Sequence, residues 1–497
     1  MERDSIRIAT TDRVREQMRL LLRTQEEEEE AGWDYASADT KTHTHCYHIY
    51  PAMMIPQVAR RLIHTYGKGA ELLLDPFCGS GTSLVEARLA GLNAVGLDIN
   101  PFAVLLARTK TADYDPILVR KQAHALRNYV DDLLKHGIQP EPPQFFNIDY
   151  WFKPEAKRDL ALLRYAIEQA IPTETRDFFL VAFAATVRES SNTRLDEYKL
   201  YRIPESKLHA YTPRVFETFW ERVGRNLRGL EEFFQERVPA THVQIYERDL
   251  RQGIPLPTAT VDLIVTSPPY GDSQTTVAYG QFSRLVLQWL GYDDDTAKSI
   301  DRRALGGKIA PVQARYESPS LATALEAIAQ ACPKRAKQVN QFYDDFALCF
   351  PEITRVVKPN GYACFVVGNR TVKGVRIPTD QILIEIASCF GWRHLTTHHR
   401  NIPNKRMPLR NSPTNKAGEL SPTMTEEHIV ILQKQSRVGE AHAGGCIKAS
   451  ERFFASICTR RLKLLCCKDR GVSVPGPPPS GLRERLFDRR AVLEPVP

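Results

Sequence analysis

The stretch ELLLDPFCGSGTSLVEARLAGLNAVGLDINP, residues 71–101, constrains the fold more than any other part of this 497-residue chain. An apolar run ends at Asp75, Gly79 and Gly81 open a tight turn, and a helical pattern starts at Thr82. A second apolar run then ends at Asp98, before another helix. Strand, glycine turn, helix and strand in this order make a βαβ unit, and such a unit requires a parallel sheet.

The turn and the acid after it suggest a ligand. Glycine permits both the turn and close approach to the backbone, and the first N–H groups of the following helix face whatever sits there. Dinucleotide binders use GxGxxG, but Leu84 stands where the third glycine belongs. The phosphate-loop pattern GxxxxGK[ST] is absent as well. An acid about 20 residues beyond such a turn suits ribose hydroxyls, which is the place of Asp98. A ligand with an amino-acid end near Asp75 and the turn, and a ribose at Asp98, is S-adenosylmethionine.

A second motif lies at VDLIVTSPPYGD, residues 261–272. The run Val261 to Val265 reads as a buried parallel strand, yet it leads directly into Ser267-Pro268-Pro269-Tyr270. Prolines have no N–H, so this stiff segment offers oxygen acceptors without matching donors. At the carboxyl end of a parallel strand it faces the ligand crevice. It suits an exocyclic amino group: Ser267 Oγ and the Pro268 carbonyl each take one N–H, and Tyr270 supplies a stacking face. Such stacking is worth about 1–3 kcal/mol per base, comparable with the few kcal/mol needed to extrude a base from a duplex.

Strand and helix patterns alternate from about residue 43 to 434, implying an α/β doubly wound sheet. Residues 43–111 form its cofactor-binding part. Residues 112–240 read as a helical insertion, and 241–434 as the catalytic part, with a polar stretch at 272–340 as a second insertion. Residues 1–42 are expected to hold one amphipathic helix and the acidic run Glu26–Glu30. The tail 435–497 carries VSVPGPPPSG and little periodicity, which predicts disorder. From Ser436 onward it holds twelve Lys and Arg against six Asp and Glu, so most of the net charge of +8 belongs to it. The main body is therefore not a polyanion-binding surface by charge alone. No run of about 18 uncharged apolar residues predicts a membrane span. The ten cysteines include no CxxC pair, which predicts no metal site and reduced thiols in a cytoplasmic protein.

With both motifs in place, the chain resembles the amino-methylating DNA methyltransferases, which modify cytosine N4 or adenine N6. The resemblance covers residues 43–434. HIYPAMMIPQVARRLI, His48 to Ile63, looks like the family's segment before the cofactor turn. DPFCGSGT matches its FxGxG motif through Phe77, Gly79 and Gly81, with Asp75 and Thr82 flanking, and SPPY matches its catalytic tetrapeptide. The resemblance implies a Rossmann-like class I methyltransferase sheet, S-adenosylmethionine as cofactor, Asp98 at the ribose and Asp249 at the cofactor's adenine amine. It also implies double-stranded DNA as substrate and a companion restriction endonuclease as a further partner. Serine in the tetrapeptide favours cytosine N4 over adenine N6. Carbon-5 methylation would need a Pro-Cys nucleophile, which the chain lacks.

DNA contacts are expected at HHRNIPNKRMPLR, residues 398–410, where Arg400, Lys405 and Arg406 stand in a Pro-interrupted loop suited to phosphates. Target recognition is expected from 112–240 or 272–340. Two rivals remain at this point: an RNA base-amine methyltransferase, and a catalytically inactive nucleic-acid-binding version of the fold.

Overall fold

The computed structural model describes residues 32–196, 198–272, 277–307, 316–402 and 424–436, with the backbone of 410–411 and 421–422. The expected N-terminal helix and acidic run, Lys405 and Arg406, and nearly all of the tail lie outside the described residues.

The βαβ unit forms as its pattern dictates. After helix α1 (Pro56–Tyr66), strand β1 (Leu72–Asp75) leads through the turn to α2 (Thr82–Leu89), β2 (Asn93–Asp98) and α3 (Pro101–Thr111). Asn100 starts α3: its side chain accepts from Phe102 N at 3.1 Å, and Pro101 occupies the first position, where no N–H is needed. Four long helices follow, α4 (Pro116–Lys135), α5 (Pro154–Ala170), α6 (Thr173–Glu189) and α7 (Val215–Glu236). Next come β3 (Val243–Glu247) and β4 (Val261–Thr266).

Beyond the catalytic loop the chain turns helical again, through α8 (Tyr279–Trp289), α9 (Asp294–Arg303), α10 (Pro319–Ala331), α11 (Pro333–Ala347) and α12 (Phe350–Val356). The polar stretch expected as a second insertion, 272–340, is thus largely helical. Phe282, Leu285, Val286 and Trp289 are spaced for one helix face, and all four are buried. The body closes with β5 (Val357–Val367), α13 (Thr379–Ser388), β6 (Trp392–Asn401) and β7 (Glu426–Lys434).

Seven strands make one sheet in the order β3-β2-β1-β4-β5-β7-β6. The first five are parallel, and β7 runs antiparallel between β5 and β6. The fold is a Rossmann-like α/β sheet. Strand order reverses between β1 and β4, so the crevice for a ligand opens at the carboxyl ends of these two strands.

One core packs α1, α2 and α3 on one face of the sheet, and another packs α11, α12 and α13 on the opposite face. A third joins α4–α7 with α8, where Trp289 meets Phe152 at 5.5 Å and Phe183 at 6.2 Å. The stretches 112–240 and 272–340 thus share buried side chains through α8. No described helix is long and apolar enough to cross a membrane.

Candidate active site

Asp75 and Thr266 end the neighbouring strands β1 and β4, and their side chains meet: Thr266 Oγ1 donates to Asp75 Oδ1 at 2.6 Å. Asp75 also accepts from Phe77 N at 3.1 Å and from Ser83 Oγ on α2. A carboxylate has about four lone-pair sites, so most of this one is engaged internally. Asp75 ties β1, the turn and β4 together at the base of the crevice. Burial pushes its carboxyl up to about 6, against three hydrogen bonds that favour the charged form.

The two glycines of the turn have different roles. Gly79 has φ +49° and donates its N–H to Asp98 Oδ2 at 3.0 Å. Gly81 has φ +82°, and a Cβ there would stand 2.9 Å from the Cβ of Ala107. Its close approach is to helix α3, so it sets how the helices pack. Gly79, Ser80 and Thr82 line the crevice, as does Phe77, which rests on Phe346 with ring centroids 6.2 Å apart.

Asp98 also accepts from Asn100 N at 2.8 Å. Two backbone donors thus hold the carboxylate at the crevice wall with lone pairs to spare. Burial raises its carboxyl to about 6, beyond the lowering effect of those donors. Asp249 lines the crevice further along, but its oxygens already accept from Arg251 N and Nε at 3.0 Å and from the Arg251 guanidinium at 2.7 Å.

Several lining residues lie outside the glycine turn and the SPPY loop. Tyr50, Pro51, Met53 and Met54 come from the segment before α1, with Ile99, Leu250, Tyr279 and Arg303 from elsewhere. Tyr50 stacks on Tyr279 at 5.8 Å, and Asn100 Nδ2 donates to both Tyr50 Oη (3.0 Å) and Ser283 Oγ (2.7 Å). The HIYPAMMIP stretch signalled the first group; nothing in the sequence marked Tyr279 or Arg303.

Ser267 and Pro269 border the same crevice, and Pro268 between them is buried. Tyr270 is half-buried. Its hydroxyl lies 3.1 Å from Ser267 Oγ and donates to Glu427 Oε1 at 2.9 Å, while Ser267 Oγ donates to Val366 O at 3.1 Å. Burial, followed by the Glu427 charge, holds the Tyr270 phenol well above its ordinary range. The loop then ends at fully buried Asp272, which grips Arg335 at 2.8 Å and Arg370 at 3.1 Å.

Arg400 overturns an expectation. It lies on β6, not in a loop, and only 5% of it is exposed. Its guanidinium pairs with Glu427, its cross-strand neighbour on β7, and its Nε donates to Trp33 O at 3.2 Å. A buried, paired arginine cannot also serve a phosphate. The basic run conceals a strand because β6 is an edge strand, exposed or half-exposed at eight of its ten positions, so it lacks the apolar alternation that marks a strand in sequence.

A family model described as DNA methylase matches residues 3–109. The type II methyltransferase M.MvaI of Kocuria varians is 42% identical over 426 residues, covering 80% of this chain and 93% of that protein. The chain belongs to the amino-methylating, N6/N4 DNA methylase family. A type II methyltransferase of Geobacillus stearothermophilus, M.BsoBI, is 21% identical over 393 residues, or 68% of the methylase and 76% of that relative. A shorter likeness joins 99 residues to the tRNA (guanine(10)-N2)-dimethyltransferase of Methanothermobacter thermautotrophicus, 39% identical over 19% of the chain and 29% of that enzyme.

The methylase uses S-adenosylmethionine, and its crevice fits that molecule. Asp98 presents a carboxylate fixed by two N–H groups, with acceptor capacity left for hydroxyl donors such as a ribose diol would bring, and Ile99 and Leu250 add apolar lining to the crevice that the Gly79–Thr82 turn and Ser267 share. Among the described residues, no group of three or more His, Cys, Asp or Glu is arranged to hold a metal ion.

Proposed function

We propose that the methylase transfers a methyl group to cytosine N4 at a specific site in double-stranded DNA, with adenine N6 as the second reading. The observation that carries this is the hydrogen bonding of Ser267. Its proton points to Val366 O, so its oxygen keeps lone pairs for an incoming amine. Pro268 is itself buried but sits between the crevice-lining Ser267 and Pro269, and in this reading its carbonyl takes the amine's other hydrogen, so that the two acceptors draw the nitrogen lone pair out of conjugation. Tyr270 stacks on the extruded base. Bound S-adenosylmethionine supplies a methyl group on a positively charged sulfur. The methylated amine is acidic enough to lose its proton to water, so no strong base is needed and rate comes chiefly from alignment. The neutral hydroxyl at the first tetrapeptide position supports cytosine.

DNA contact is assigned to the loop between α6 and α7 rather than to Arg400. Tyr198 packs on Phe282 of α8 at 6.1 Å, and Leu200 N donates to Gln281 at 3.4 Å. This seats exposed Arg194, Leu195 and Tyr201 beside the helix whose first residue, Tyr279, borders the crevice. Arg194 pairs with Asp196 at 3.3 Å, but on an exposed surface where such a pair is weak, so a phosphate can compete for it, and Tyr201 adds an aromatic face. A companion endonuclease cutting the same site, and a cytoplasmic location, complete the reading.

The test is expression in a methylation-free host followed by sequencing that reports modified bases. N4-methylcytosine in one sequence context is expected. N6-methyladenine instead would reverse the choice of base, and an unmodified genome, with methyl transfer to tRNA in vitro, would overturn the DNA substrate.

A further inference from the structure

We infer that Glu427 is a positioning residue that makes Ser267 a hydrogen-bond acceptor by claiming the proton of Tyr270. The inference rests on the reading above, in which Ser267 accepts from the target amine.

Serine and tyrosine hydroxyls can each donate or accept. Left to themselves, two hydroxyls 3.1 Å apart have two arrangements, and in one of them Tyr270 donates to Ser267. That arrangement fills a lone pair of Ser267 that the amine requires. Glu427 removes the ambiguity. Its Oε1 is 2.9 Å from Tyr270 Oη, and its Oε2 pairs with Arg400. A carboxylate held by a guanidinium only accepts, so Tyr270 must donate to it. Tyr270 Oη is then itself an acceptor, and Ser267 sends its own proton inward, to Val366 O or to Tyr270. Either way its outward lone pairs stay free.

The orientation is braced from three sides. Glu427 and Arg400 face each other across β7 and β6. Arg400 Nε is anchored on Trp33 O, and Asn401 is held by Asp34 through its N–H at 2.7 Å and its side-chain amide at 2.9 Å. Trp33 itself stacks on His398 at 4.9 Å, with the Arg61 guanidinium 4.0 Å from its ring centroid. The ion pair is 5% and 14% exposed on its two sides, so water competes little for either group.

Glu427→Gln reverses the logic without changing shape. An amide NH2 facing Arg400 would set donor against donor, so the amide turns its oxygen to Arg400 and its NH2 to Tyr270. Tyr270 then donates to Ser267. At saturating cofactor, kcat should fall about tenfold or more, one hydrogen bond's worth, with KM for S-adenosylmethionine nearly unchanged. Tyr270→Phe keeps the ring and deletes the misdirected proton, so Glu427→Gln combined with Tyr270→Phe should match Tyr270→Phe alone.

An E427Q enzyme as fast as the parent overturns the inference, and so does a double variant slower than Tyr270→Phe by the factor that separates E427Q from the parent. A Ser267→Ala variant with full kcat would instead take down the underlying reading, and the inference with it. Should E427Q not fold, neutron diffraction from the unaltered protein decides: the deuteron on Tyr270 Oη is expected toward Glu427, and one directed at Ser267 refutes the assignment.

Discussion

The cofactor turn is held mainly by residues near it in sequence, with one distant tie from Thr266 to Asp75, 191 positions apart. Gly79 donates to Asp98, 19 positions on, and Asp75 accepts from Ser83, eight positions on. The SPPY loop is held from far away, by Val366 and Glu427, 99 and 157 positions beyond their partners. One half of the site is a local motif that carries most of its own supports. The other is a short rigid segment whose chemistry depends on strands laid down much later. Changes in the first half should therefore act on cofactor binding, and changes around the second on turnover or on the fold.

Arg400 tests the distant support most severely. Arg400→Ala would leave Glu427 buried without its partner, and breaking a buried pair costs about 3–5 kcal/mol. Denaturant unfolding should show that loss. If Arg400→Ala instead left stability intact and weakened DNA binding with a shallower salt dependence, the phosphate-contact reading would return.

Ser267→Ala comes next. Removing a placed partner of the reacting group typically costs about 10²–10³ in kcat, and calorimetric affinity for S-adenosylmethionine should stay within about threefold. A change confined to affinity would merge the two halves. Asp98→Asn should do the opposite: a charged hydrogen bond is worth about 1.5–3 kcal/mol, so cofactor affinity drops while kcat at saturation holds.

Gly81→Ala puts a side chain at φ +82° and within 2.9 Å of Ala107. A cost of about 1–3 kcal/mol in unfolding free energy is expected, with binding affected only through the fold. The smallest effect is pH dependence. The Asp98 carboxyl is raised to about 6 by burial, so it is ionised at neutral pH and protonates as pH falls through that value. Protonation removes an acceptor, so cofactor affinity should decline below pH of about 6, and Asp98→Asn should flatten the profile.

The same contrast explains what the sequence made legible. A glycine turn between two apolar runs, with acids at both strand ends, encodes its geometry within 30 residues, so the sheet, the turn and Asp98 could be read directly. SPPY could be read as an acceptor segment because proline chemistry is intrinsic. What supports it could not. Glu427 looks like any acid opening a strand, and its pairing with Arg400 follows from β6 and β7 meeting in register, which no local pattern reports. Arg400 was misread for the same reason: its neighbours in sequence are basic and Pro-broken, while its neighbours in space are Glu427 and Trp33. Tyr279 was hidden because its helix begins inside a stretch rich in glycine and polar residues.

Strand β7 is the final piece of the sheet to be synthesised, and it slots between two strands made before it. It therefore delivers two things together: the pairing partner of both β5 and β6, and the carboxylate that accepts from Tyr270. A chain cut before Glu426 would lose both, so the sheet and the support of the tyrosine fail together.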